Sequence, residues 1–290
     1  MKRILQSVFA VMVCCALSGC IYPMPDVQVA TTTAPVHEFT TRICDGTDIR
    51  VGRIISENVS CLHDYTLQTS QMRMIENAEL VIFSGAGLED FIFDTLGTSD
   101  AVIDASASVA LICSESEHTH DGHTHDHDPH IWLSPDNAAQ MATNICNGLK
   151  DQYPQHAGRF DANLQELLNE LFALKEYGTN QLHPLKSRQL ITFHDGFAYF
   201  ADAFGLEILY AIEEESGSEA PASELIKICH AIEMHNIPAI FTEQSGSTSA
   251  AKIISAETGA KIYQLDMAMS ENSYFTAMYN NITAVKEALE

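Results

Sequence analysis

Four residues lying far apart in the chain could act together on one ion, namely His63, His130, His194 and Asp266. Three neutral imidazoles and a carboxylate are donors for a transition-metal cation. Imidazole suits Zn²⁺, which is usually four-coordinate with nitrogen, sulfur or oxygen ligands. Successive members are 67, 64 and 72 residues apart, so nothing local brings them together. Each one alone reads more readily as a polar loop residue than as a ligand. A second group is local. Residues 118–127 read His-Thr-His-Asp-Gly-His-Thr-His-Asp-His, and so hold His118, His120, His123, His125 and His127. With almost nothing apolar, this segment is expected to be a mobile loop. Its imidazoles and carboxylates suit weak Zn²⁺ collection, and a solvated linker is the plain alternative.

The elements that must position these residues follow a β-then-α rhythm, which argues for a parallel α/β sheet. Residues 48–55 read as a strand, 69–78 as a helix and 80–83 as an apolar strand. A turn at 84–87, a short strand at 101–103 and a helix over 135–150 follow, with Pro135 suited to a first helical turn. Between Pro154 and Pro184 the rhythm stops. Phe160, Leu164, Leu167, Leu168, Leu171 and Leu174 recur at helical spacing there, predicting one helix of roughly 40 Å at about 1.5 Å per residue. Strands are then predicted at 189–193, 207–211, 239–242 and 261–265, with helices at 196–204, 222–235, 247–258 and 274–289. His194 and Asp266 directly follow strands, and His63 and His130 lie in loops able to reach the same edge. The carboxyl edge of an open α/β sheet is where ligands bind.

A chain of 290 residues with 46% apolar residues can bury the cores of two lobes. Its formal net charge of −24 repels phosphate backbones and anionic lipid surfaces, which argues against nucleic acid and electrostatic membrane binding. Lys2 and Arg3 precede an apolar run over residues 4–17, which is too short to span a bilayer and reads as a signal. It ends in Leu17-Ser18-Gly19-Cys20, the pattern of a bacterial lipoprotein signal in which Cys20 becomes the acylated N-terminus. Removing residues 1–19, which carry two cations and no acid, leaves −26. Residues 21–33 read as a polar tether. The five later cysteines are an odd number, so at least one is a free thiol or pairs outside the chain; Cys44 and Cys61 are one candidate pair, and the plain alternative is that most of the five are small buried hydrophobes.

Several stretches together resemble the zinc/manganese class of ABC-transporter substrate-binding lipoproteins over the whole mature chain. They are the Cys20 signal, His63-Asp64-Tyr65, Ala78-Glu79-Leu80-Val81-Ile82, Gly85-Ala86-Gly87-Leu88-Glu89, Asp128-Pro129-His130-Ile131-Trp132-Leu133-Ser134-Pro135, Phe193-His194-Asp195-Gly196-Phe197-Ala198-Tyr199 and Phe241-Thr242-Glu243. The resemblance implies an α/β fold of two lobes, each a four-stranded parallel sheet with flanking helices, joined by one long rigid helix. It implies a signal peptide over 1–19, a lipid-anchored tether over 20–33, lobes over 34–152 and 185–290, and a linker helix over 153–184. It implies one metal in the cleft, with His63, His130 and His194 as ligands and Asp266 as the acidic fourth. Manganese-type members usually carry a carboxylate where this chain has His194, so the resemblance favours Zn²⁺ over Mn²⁺. The implied partners are an ABC permease and its ATPase, with the membrane reached through the lipid and the protein itself a monomer. Two departures stand out: Ser60-Cys61-Leu62 replaces a Pro-Gly before the first ligand, and Asp266-Met267-Ala268 replaces Asp-Pro-Leu. Glu57 is a backup ligand, Glu243 a supporting acid, and Asp64 and Asp195 candidates for orienting ligand loops. A manganese importer, an adhesin and a zinc hydrolase are the competing functions. No His-Glu-x-x-His occurs, which argues against the hydrolase and for a protein that is not an enzyme.

Overall fold

The computed structural model describes residues 27–56, 62, 65–90, 92, 101–113, 119–120, 123–124, 127–213, 221–243, 248–270 and 272–290. His63, Asp64, Glu57, Cys61, Cys20, His118 and His125 lie outside the described residues.

The first half builds a four-stranded, all-parallel sheet from β1 (Val29–Thr31), β2 (Val51–Arg53), β3 (Leu80–Phe83) and β4 (Val102–Asp104), in the order β2-β1-β3-β4. Helices α1 (Ala34–Ile43), α2 (Thr69–Asn77) and α3 (Pro135–Gln152) flank it. All four residues of β3 are buried, as a parallel strand covered on both faces requires. Between β4 and α3, the backbone of β5 (Thr119–His120) and β6 (His123–Thr124) pairs antiparallel, within the segment expected to be a loop.

The tether expected over 20–33 is corrected for its last residues, the rest lying outside the described residues. Val29–Thr31 is a strand between β2 and β3, and Thr31, Thr32 and Thr33 are fully buried. Threonine is β-branched and fits a strand, and here the hydroxyls of Thr31 and Thr32 find partners. Thr31 Oγ1 donates to Gly52 O at 3.0 Å and Thr32 Oγ1 to Glu89 Oε1 at 2.5 Å. The strand expected over 48–55 is shorter as a regular strand. Its extended course continues, because Ile54 N and Ile55 N donate to Thr31 O and Thr32 O.

The second half repeats the plan. Strands β7 (Gln189–His194), β8 (Glu207–Glu213), β9 (Ala239–Glu243) and β10 (Lys261–Leu265) form a parallel sheet in the order β10-β9-β7-β8. The predicted β/α alternation holds throughout, with α5 (Ala198–Phe204), α6 (Ala222–His235), α7 (Ser249–Thr258) and α8 (Tyr274–Leu289) between and after the strands.

Helix α4 (Ala157–Leu182) has 26 residues, about 39 Å at 1.5 Å per residue. Its buried stripe of Phe160, Leu167, Leu171, Leu174 and Leu182 touches α1 and α3 at one end and α5 and α8 at the other. Asn163 Nδ2 donates to Ile43 O and Asp45 O, both at 2.9 Å, and so satisfies carbonyls at the end of α1. At the other end Gly178 lets α5 come close: a Cβ there would sit 2.3 Å from Phe204. The two halves also meet directly. Trp132 Nε1 donates to Met267 O at 2.7 Å, and the Tyr274 hydroxyl to Trp132 O at 2.9 Å. No helix among the described residues is long and apolar enough to cross a membrane. Cys44 is a free, buried thiol that burial pushes up to about 12.

Candidate metal centre

His130 stands just before a 3₁₀ turn (Ile131–Leu133) that leads into α3. Ser134 caps α3 by accepting from Asn137 N, and Pro135 occupies its first turn, so the chain enters the helix in one direction. Immediately upstream, Asp128 Oδ1 accepts twice: from His130 N at 2.9 Å and from the ring Nδ1 at 2.7 Å. This double grip fixes ring orientation and holds the proton on Nδ1. The lone pair of Nε2 is then free to point elsewhere. Asp128 is itself fixed through its carbonyl, which accepts from the Tyr199 hydroxyl at 3.1 Å. His130 is 3% exposed, with the Trp132 ring edge-on beside it at 5.4 Å.

His194 ends β7, at the carboxyl edge of the second sheet. Glu243 ends β9, the neighbouring strand, and places Oε1 3.9 Å from His194 Nδ1. Both residues are buried. The two imidazoles meet edge to face, with centroids 5.0 Å apart and planes at 86°. Their Nε2 atoms are 3.4 Å apart.

That separation is informative. Two imidazole nitrogens at 2.0–2.1 Å from a tetrahedral Zn²⁺ would be about 3.3 Å from each other. The rings therefore hold their donors at nearly the spacing a shared zinc ion requires, with an acid at each far nitrogen. Without a cation, two facing lone pairs repel, so one ring must carry a proton toward the other. Metal binding displaces that proton.

The sequence profile described as "Zinc-uptake complex component A periplasmic" (ZnuA) matches residues 29–288. The chain belongs to this family. A crystal structure of ZnuA superposes with a TM-score of 0.80 at 26% identity, covering 91% of this chain and 100% of that one. The Zn(II)-bound ZnuA-like domain of Streptococcus pneumoniae AdcA superposes at 0.77 with 25% identity, covering 91% and 98%. The zinc-binding lipoprotein AdcA of Streptococcus pneumoniae is 26% identical over 282 residues, covering 91% of this chain but 56% of its own length. The chain thus spans about half the length of the curated AdcA relatives. These likenesses bear out the family and the two-sheet α/β fold read from the sequence.

Asp266 follows β10, as predicted, and is 5% exposed. Its carboxylate closes its own loop. Oδ1 accepts from Ala268 N at 2.8 Å, and Oδ2 accepts from Ser270 Oγ at 3.4 Å and Asn272 Nδ2 at 3.3 Å. Asn281 clamps the Asp266 backbone from α8 by accepting from its N–H and donating to its carbonyl. Among the described residues no group of three metal-binding side chains assembles. The structure brings together two of the four predicted residues, His130 and His194, and the first, His63, lies outside the described residues. Asp195 is exposed.

Two further residues of these motifs have roles that the sequence alone did not assign. Asp128 is the orienting acid for His130. Its signal was a carboxylate two residues before a candidate ligand, the separation at which one side chain can reach both the backbone and the ring. Gly196 is the other. A Cβ built there would lie 2.8 Å from His194 Nε2, 2.6 Å from Cδ2 and 2.8 Å from the Met267 methyl. Only glycine leaves that nitrogen uncovered.

Proposed function

We propose that this protein captures one Zn²⁺ outside the cytoplasm and hands it to an ABC permease and its ATPase. The ligands are His63, His130 and His194, with Asp266 the candidate fourth. Cleavage after Gly19 and acylation of Cys20 anchor the chain, which works as a monomer. The helix over 153–184 links a first lobe, which runs from β1 at Val29 to residue 152, to the lobe over 185–290. His118, His120, His123, His125 and His127 collect zinc weakly near the cleft.

The observation that carries this reading is the 3.4 Å approach of the His130 and His194 Nε2 atoms, each ring flanked by an acid at Nδ1. Family membership and the zinc-bound structure of a relative support the choice of metal. Nitrogen donors favour zinc over manganese, which prefers carboxylate, carbonyl and water ligands. Asp266 is the least secure ligand, because both its oxygens already accept hydrogen bonds within their loop. Binding and release need no bond chemistry, so the protein acts as a carrier and not as an enzyme.

A chelator-competition titration of metal-free protein tests the reading. One tight zinc equivalent is expected, abolished in His130→Ala and in His194→Ala. Deleting residues 118–127 removes weak binding and keeps the tight equivalent. Tight binding that survives His194→Ala sinks the assignment.

A further inference from the structure

Where the histidine-rich segment rejoins the fold, Cys113 and His127 form an antiparallel β-bridge. Asp128 N donates to Ile112 O at 3.0 Å, the bond expected on one side of a non-hydrogen-bonded pair. In such a pair the Cα atoms are about 4.5 Å apart, the side chains share a face and they stand closer than anywhere else on the ladder. Cys113 is exposed and is a free thiol. The Nδ1 atom of His127 is buried with no hydrogen-bond partner. An orphaned buried nitrogen is uncommon and points to an absent partner. Metal bonds of about 2.3 Å to sulfur and 2.0–2.1 Å to nitrogen set S and N about 3.6 Å apart, within reach of a directly opposed pair.

One hydroxyl ties the two strands of the bridge together. Tyr199 accepts from Ile112 N at 2.9 Å and donates to Asp128 O at 3.1 Å, pinning both strands of the bridge. Burial raises the Tyr199 pKa against the effect of the Ile112 N–H, so the hydroxyl keeps its proton for Asp128 O.

We infer that Cys113 and His127 form a second cation site, a thiolate–imidazole pair for Zn²⁺ or a similar borderline-soft divalent ion. Water completes the coordination, and the Cys113 S–H loses its proton to solvent as the metal–sulfur bond forms. The pair differs from the ligand set proposed for the cleft: Cys113 belongs to neither imidazole cluster named above, and His127 contributes its buried nitrogen.

Cobalt absorption tests this on the full chain. Metal-free protein is first given one equivalent of Zn²⁺ to fill the cleft and is then titrated with Co²⁺. The expected result is a thiolate-to-cobalt charge-transfer band in the near ultraviolet, absent from Cys113→Ser and shifted to higher cobalt concentration in His127→Gln. His194→Ala, titrated with Co²⁺ without the zinc step, lacks the tight equivalent and keeps the band, so failure of the cleft and failure of this site are told apart. A second readout needs no variant of the thiol: cobalt should slow alkylation of Cys113 in the unmodified chain but not in His127→Gln. A missing thiolate band, a band that persists in Cys113→Ser, or alkylation indifferent to cobalt overturns the proposal.

Discussion

Gly196→Ala isolates the geometry of the centre without touching a ligand. The added methyl would lie 2.6 Å from Cδ2 and 2.8 Å from Nε2 of His194, and 2.8 Å from the Met267 methyl. Comfortable contact begins near 3.5 Å, so three overlaps arise together. The His194 ring has little room to retreat: it is 3% exposed, the His130 ring stands 5.0 Å away on one side, and Glu243 lies at the far nitrogen. Overpacking of this kind costs about 1–3 kcal/mol. Because the methyl crowds the donor atom, that cost falls on metal binding, a loss of roughly tenfold to a hundredfold in affinity. Gly158→Ala is the control, since nothing lies within 4 Å of a Cβ at that position. Chelator competition on the two variants, with thermal melts of both metal-free proteins, reads the difference. Zinc affinity unchanged in Gly196→Ala would refute the placement of the donor nitrogen.

Further predictions rest on the same contacts. Asp128→Asn leaves a weaker acceptor for the His130 Nδ1–H and should lower zinc affinity by about 10–100-fold, the usual effect of an outer-shell partner, with little change in the melt. Zinc affinity should fall as pH drops, because protons compete for the donor nitrogens; calorimetry in matched buffers reads it, and a flat profile from about pH 7.5 to about 5.5 counts against histidine ligands. Glu89 gives an independent stability test. It is 1% exposed, and burial raises its pKa to about 7 against the hydrogen bonds from Thr32, Ser84 and Gly85. The folded state therefore holds the Glu89 proton more tightly than the unfolded one. Its stabilising effect is full below the unfolded value near 4.5 and is lost as pH rises through 7, on the order of 3 kcal/mol. Urea unfolding of metal-free protein at about pH 5 and about pH 8 should show that loss, and Glu89→Gln should flatten it.

Much of the fold could be read from the sequence because alternation and punctuation agreed. The buried strand at Leu80–Phe83, the helix starting at Pro135 and the later strands all have clear periods bounded by turns. The departures have physical causes. Three consecutive threonines suggest a solvated tether, yet β-branched side chains with internal partners make that stretch a sheet strand with its buried continuation. Helix α1 has no counterpart in the sequence reading, although Val36, Phe39, Thr40 and Ile43 are its buried positions, at helical spacing just after Pro35. In the centre, spacing alone could not pair residues 64 positions apart. Family resemblance did that, and the converging Nε2 atoms supply the geometry. The orienting grip of Asp128 and the clearance at Gly196 depend on rotamers and close approach, which no periodicity encodes.

The most direct test is a crystal structure of the protein grown with one equivalent of zinc, with anomalous diffraction recorded at the zinc edge. The account predicts one strong peak about 2.0–2.1 Å from both His130 Nε2 and His194 Nε2. A strong zinc peak elsewhere, with those two nitrogens still facing each other across an empty gap, contradicts it.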